Sequence, residues 1–180
     1  MRLKDKVAIV TGGGSGFGEA MAKRFAEEGA KLVVNDVNDG GGTRVAKEIE
    51  GAQGQGSAVY VHADVSRNDD MARLIAASLD RYGHIDIMVN NAGITHVNRP
   101  MLEVDEEEFD RIYAVNVKSI YLSARHLVPV LRKQGKGGSI INTASTAGIR
   151  PRPDRQHNGL AFRHSCLVSD CGASHRRGPS

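Results

Sequence analysis

The sequence predicts an α/β protein built on a doubly wound parallel sheet. Two observations carry that prediction. Short apolar runs alternate with segments that bear an apolar face at helical spacing, the order produced by strand–helix–strand crossovers. The first of these runs, Val7-Ala8-Ile9-Val10, passes straight into Thr11-Gly12-Gly13-Gly14-Ser15-Gly16-Phe17-Gly18 and then into a helical stretch. A chain of 180 residues with 40% hydrophobic and 25% charged residues is long enough for one domain with a real core.

Taken in order, Val7–Thr11 is continuous and β-branched, which suits a strand covered on both faces. The helix over Gly16–Glu28 sets Met21, Ala22, Phe25 and Ala26 on one side. A second strand is expected over Lys31–Asp36 and a second helix over Thr43–Glu50. Gly40-Gly41-Gly42 and the stretch from Gly51 to Gly56 read as loop punctuation. Ala58–Asp64 reads as the third strand and Asn68–Tyr82 as the third helix, with Ser66 and Asp69 as its capping signal. Ile85–Asn90 is the fourth strand. A long helical stretch runs from Asp105 to about Lys133, and Asn116 and Pro129 are expected to distort or divide it. Ser139–Thr143 is the fifth strand.

Around Pro151-Arg152-Pro153 the character changes. Residues 154–180 are rich in His, Arg, Ser and Gly and show neither strand alternation nor a helical stripe. The expected organisation is therefore an incomplete domain over residues 1–153 and a disordered tail over 154–180.

A strand, a glycine turn and a helix in that order make a site for a dinucleotide. The glycines let the backbone turn tightly and let a pyrophosphate approach, and the helix N-terminus offers free N–H groups. Asp36 ends the second strand 18 residues past Gly18, where an acidic side chain meets a ribose 2′-hydroxyl and repels a 2′-phosphate. NAD is thus favoured over NADP, with Arg44 and Lys47 as the cations able to oppose that choice. A net charge of +3 is too small to point to nucleic acid, and no apolar run is long enough to span a bilayer. Met1 to Lys6 lead directly into a strand, so no signal peptide is read. With two cysteines, Cys166 and Cys171, a cytoplasmic setting is expected. His164, Cys166, Cys171 and His175 are zinc-type ligands, but their spacing is loose and no metal site is expected.

By Asn90-Asn91-Ala92-Gly93 the chain strongly resembles the short-chain dehydrogenase/reductase family. Four signals stand in that family's order: Thr11–Gly18, Asp64-Val65 after the third strand, Asn90–Gly93 after the fourth, and Asn116 followed by Ser145 after the fifth. The resemblance covers Met1 to about Pro153 and implies a Rossmann-like fold. It also implies an NAD(P) cofactor and hydride transfer between a secondary alcohol and a carbonyl. It implies a cofactor-binding set of Gly12, Ser15, Gly16, Phe17, Gly18, Asp36, Asp64, Val65, Asn91, Ala92 and Gly93. In that reading Asp64 and Val65 meet the adenine, and Asn91, Ala92 and Gly93 pass the nicotinamide-side ribose. Ser145 bonds the substrate oxygen and Asn116 helps hold a proton-relay water. On the residues alone, Asn91 and Asn116 also suit backbone-bonding amides, a reading compatible with the other, and Ser145 alone also suits an ordinary loop serine.

The resemblance also implies a tyrosine thirteen residues past Ser145 and a lysine four further on. Those positions hold Asn158 and Phe162, and residues 154–180 contain neither tyrosine nor lysine. The partner expected of the intact family form is a small-molecule alcohol or carbonyl substrate, in a homo-oligomer whose helices are incomplete here. Two function classes emerge: an NAD-dependent oxidoreductase, and a truncated nucleotide-binding remnant without turnover. A third, with the tail as a partner-binding segment, is separable by a tail-dependent pull-down.

Overall fold

A computed structural model describes residues 1–96, 103–144 and 169–170. Five parallel strands form the sheet: β1 (Val7–Thr11), β2 (Lys31–Asp36), β3 (Ala58–His62), β4 (Ile87–Asn90) and β5 (Ser139–Asn142). The order is β3-β2-β1-β4-β5, and a two-residue β6 (Ser169–Asp170) pairs antiparallel with β5. This is the expected doubly wound, Rossmann-like arrangement, with strand order reversing between β1 and β4. β6 is the one described element in the expected tail; the rest of that tail and Ser145 lie outside the described residues.

The helices are α1 (Gly16–Glu27), α2 (Asp39–Gln53), α3 (Asn68–Tyr82), α4 (Glu106–Tyr113) and α5 (Ser119–Gln134). Alternate strand residues divide between the two faces, as the two-residue period of a strand requires. Ala8, Val10, Leu32, Val34 and Val89 pack with Ala22, Ala26, Val45 and Ile49 of α1 and α2. Ile9, Val33, Met88 and Ile140 pack with Met71, Leu74, Leu122, Leu127 and Leu131 of α3 and α5. Among the described residues no helix is long and apolar enough to cross a membrane.

Three local expectations are corrected. First, α2 begins at Asp39 and runs through Gly40-Gly41-Gly42 and Gly51. These glycines are not all turn residues. A Cβ on Gly41 would stand 2.9 Å from the Gly14 carbonyl oxygen, and one on Gly42 would overlap the Tyr60 ring. The helix is capped instead by Asn38, whose Oδ1 accepts from Gly41 N at 2.9 Å. Second, Ser66 does not cap α3. Its N–H and hydroxyl both donate to Asp64 Oδ1, at 2.9 and 2.7 Å, and Arg67 holds the cap position without a side-chain bond. Third, Pro129 does not divide the long helix. It lies inside α5 on an exposed position, as does Arg125 four residues back, whose carbonyl a proline cannot bond. The division falls at Asn116 alone, within a single π-helical turn over Ala114–Lys118.

Candidate functional site

The carboxyl ends of β1 and β4 flank the point where strand order reverses, the place where open α/β sheets bind ligands. Gly12 leaves β1 with φ +62°, and a Cβ there would stand 2.9 Å from Ala92 Cα. Gly18 sits against the same turn so closely that a Cβ would overlap the Gly12 carbonyl. Gly16, at φ +55°, differs from both, because its Cβ direction is open space. Two glycines thus bring strand and helix together, and the third leaves a bare backbone cradle at the start of α1. Ser15 precedes α1 without a side-chain cap bond, and Phe17 is 83% exposed over the opening. That arrangement fits a diphosphate: backbone N–H groups, a helix N-terminus and no side chain in the way.

Asp36 lies at the end of β2. Its Oδ2 accepts from Gly14 N and its Oδ1 from Asn38 N, both at 2.9 Å, so one carboxylate fixes the glycine turn and the entry to α2. Asn35 is fully buried; its amide donates to Val61 O and Ala63 O at 3.1 and 2.9 Å, holding the end of β2 to the chain leaving β3. Asp64 gives its N–H to Asp70 Oδ2 at 3.0 Å, and this bond, with Arg73 assisting against burial, holds the Asp70 carboxyl below its usual range. Val65 beside it is 5% exposed.

On the β4 side the pieces are joined by hydroxyl and amide groups. The Thr11 hydroxyl donates to Val89 O at 3.2 Å and accepts from Asn91 N and Ala92 N, each at 3.0 Å. Asn91 Nδ2 donates to Thr11 O at 3.0 Å. Asn90 Nδ2 donates to Asn142 Oδ1 at 2.8 Å, tying β4 to β5. Asn116 reaches across from the π turn. Its Oδ1 accepts from Ile94 N and its Nδ2 donates to Ile94 O, both at 2.9 Å, which fixes the chain just past Gly93.

These elements enclose one cleft of about 850 Å³. Gly12, Ser15, Gly16, Phe17, Asp36, Asp64, Val65, Asn91, Ala92 and Gly93 all line it. Gly18 stands behind the turn, and Asn116 supports the wall through Ile94. Ser145 lies outside the described residues, although Thr143 and Ala144, just before it, line the cleft. Sequence reasoning passes over Val37, Ser66, Arg111 and Val115, which also line it, and over the bonding of the Thr11 hydroxyl. Only Thr11, first residue of the glycine motif, carries a signal. A second depression, of about 620 Å³ by Lys31, Arg81 and Tyr82, lies away from the glycine turn. Its Tyr82 hydroxyl is spent on Leu32 O and Gly56 O.

A glycine turn at the switch point of a doubly wound sheet, with an acidic residue closing β2, defines a Rossmann-like protein. The chain belongs to the short-chain dehydrogenase family, whose model matches residues 6–157. It is 46% identical over 153 residues to 4-formylbenzenesulfonate dehydrogenase of Comamonas testosteroni, covering 85% of this chain and 60% of that protein. Among solved structures it resembles the 3-ketoacyl-(acyl-carrier-protein) reductase of Brucella melitensis in complex with NADH. There the TM-score is 0.81 at 45% identity, over 88% of this chain and 65% of that one. A short-chain dehydrogenase/reductase of Burkholderia phymatum in complex with NAD gives a TM-score of 0.81 at 31% identity, over 89% and 55%. The chain therefore spans 55% to 65% of these relatives' lengths.

Proposed function

We propose that this chain binds NAD(H) along the cleft and represents the cofactor-binding part of an alcohol/carbonyl oxidoreductase. We also propose that these 180 residues turn nothing over. The observation that carries the binding reading is the open backbone at Gly16, between two glycines packed tightly enough to exclude any side chain. Gly12, Ser15, Gly16 and Phe17 would hold the diphosphate, Asp36 a ribose 2′-hydroxyl, and Asp64 and Val65 the adenine. Asn91, Ala92 and Gly93 would hold the nicotinamide-side ribose. A bound nicotinamide would give a hydride to a carbonyl carbon, or take one from the carbon of a secondary alcohol. Ser145 would orient the substrate oxygen, and Asn116 keeps the wall beside Ile94 in place.

Proton transfer is where the chain falls short. The tyrosine and lysine that the family uses as general acid/base and its pKa-lowering partner have Asn158 and Phe162 at their positions. General acid/base assistance contributes about 10²–10⁴-fold, and lost orientation removes more. A cytoplasmic setting and a small-molecule alcohol or carbonyl substrate belong to the same reading.

Titration by nicotinamide fluorescence tests it. NADH should bind more tightly than NADPH, and Asp36→Ala should narrow the gap. Equal binding of both cofactors by the unsubstituted chain would overturn the assignment of Asp36. An NAD-dependent rate that tracks the pure protein and vanishes in Ser145→Ala would overturn the absence of turnover.

A further inference from the structure

Beside the acidic end of the cleft stands a cation that is fully engaged. Arg44, on α2, makes a two-pronged contact with Glu19 of α1: Nη2 to Oε2 at 2.6 Å and Nη1 to Oε1 at 3.0 Å. The same Nη1 donates to Glu48 Oε1 at 3.0 Å, and Nη2 to the Gly14 carbonyl at 3.2 Å. Lys23 closes the ring, its Nζ standing 2.6 Å from both Glu19 Oε1 and Glu48 Oε2. Two cations and two carboxylates cancel. Arg44, then Lys23, hold the Glu19 carboxyl down to about 2, so the cluster stays ionised at neutral pH.

The position of this ring gives it meaning. Gly14 offers its carbonyl to Arg44 and its N–H to Asp36, so guanidinium and carboxylate bond opposite ends of one residue. A phosphate on the ribose beside Asp36 would lie within the neighbourhood of Arg44. To take it, the guanidinium would have to give up a bidentate carboxylate of matching geometry. We propose that Glu19 and Glu48 are specificity-determining residues: by clamping Arg44 they withhold it from a 2′-phosphate. Discrimination against NADP then rests on two devices, the Asp36 charge and the neutralised arginine. The inference rests on the reading of the cleft as a dinucleotide site. The side chains of Arg44 and Glu48 are 46% and 42% exposed, so once Glu19 and Glu48 are neutral the guanidinium has open solvent to turn into.

The test compares NADH and NADPH binding by fluorescence titration in the full chain and four variants. The starting variant is Asp36→Asn, which removes the repelling charge and keeps one of the two acceptors that Gly14 N and Asn38 N use. Adding Glu19→Gln and Glu48→Gln should raise NADPH affinity about tenfold, as one new charge-assisted hydrogen bond would, and leave NADH within about twofold. Adding Arg44→Ala to these three should abolish the gain. A gain that survives Arg44→Ala, or no gain at all, overturns the proposal. Arg44→Ala alone, in the otherwise unsubstituted chain, should leave NADPH binding unchanged. A loss there would show the guanidinium already meeting the phosphate and would also overturn it, even if the multiple variants fail to fold. If the unsubstituted chain does not bind NADH, the reading of the cleft itself fails and the inference with it. NADH binding with no NADPH response removes the clamp alone.

Discussion

The two halves of the molecule hold the same cleft by different means. In the first half, β1 to β3, the ligand-facing parts are positioned mainly by backbone contact and charge, with the buried Asn35 amide as the exception: Gly12 against Ala92, Gly18 against Gly12, and a four-membered ion cluster between α1 and α2. In the second half, β4 to β5, they are positioned by side-chain amides: Asn91 to Thr11, Asn90 to Asn142, and Asn116 to Ile94. The first kind of support fails when something is added. The second fails when something is taken away. Small substitutions in the glycine turn and deletions of single amides should therefore leave different signatures.

The largest effect is expected from adding one methyl group. Gly18→Ala places a Cβ inside the Gly12 carbonyl, so strand and helix must separate, at about 3 kcal/mol. Urea unfolding should show a lower midpoint, and NADH binding should be lost with it. A midpoint unchanged from the parent would mean that the turn is not closely packed.

Thr11→Val should come next. It keeps the shape and removes the acceptor shared by Asn91 N and Ala92 N in a residue only 2% exposed, for a loss of about 2 kcal/mol. Because the hydroxyl joins β1 to β4, amide exchange should accelerate on both strands. Acceleration on one strand only would show that the two halves are held independently.

Asn116→Leu should cost somewhat less, about 1–2 kcal/mol, because Ile94 is half-buried and water reaches part of what is unpaired. Here the exchange at Ile94 N–H should rise while α1 and α2 remain protected. Protection kept at Ile94 would remove the amide from its supporting role.

The smallest effect is pH-dependent. Glu19 has its carboxyl lowered from 4.5 to about 2 by Arg44 and Lys23. Asp86 also titrates low: burial pushes it up, but the Val7 N–H and Lys6 more than offset that. A carboxyl depressed on folding stabilises the chain above its unfolded value, and that stability disappears as pH falls through the folded value. Melting temperature should thus decline between about pH 4.5 and 2 by an amount worth about 1 kcal/mol, since the partners are largely exposed. Asp86→Asn should flatten part of that decline.

The same contrast explains which parts of the molecule are legible in the sequence. β1, β2 and α3 agree in extent with their expected bounds, because continuous apolar runs and helical stripes are local patterns. The glycine turn is legible because its spacing is short. Gly41 and Gly42 of α2 mislead, because what they approach, Gly14 and Tyr60, lies far along the chain. The amide contacts are less legible still. Asn91 bonds a residue 80 positions away, and nothing in its neighbourhood announces that. Ser66 suggests a cap because three-residue spacing looks like one, whereas Asp64 offers it a nearer acceptor.

The π turn over Ala114–Lys118 has a consequence for how this stretch of sequence tolerates change. A π turn accommodates one residue more than the α-helix would, so the helix beyond it is rotated by about 100° relative to an unbroken one. α4 buries Ile112, and α5 buries Leu122, Leu127 and Leu131. Asn116 faces Ile94 from within the joint. Loss of a single residue between positions 114 and 118 would return the two helices to a common phase. Either the amide would leave Ile94 or the leucines would leave the sheet. At the level of the gene, this joint should accept substitutions at its exposed positions and reject a one-codon deletion.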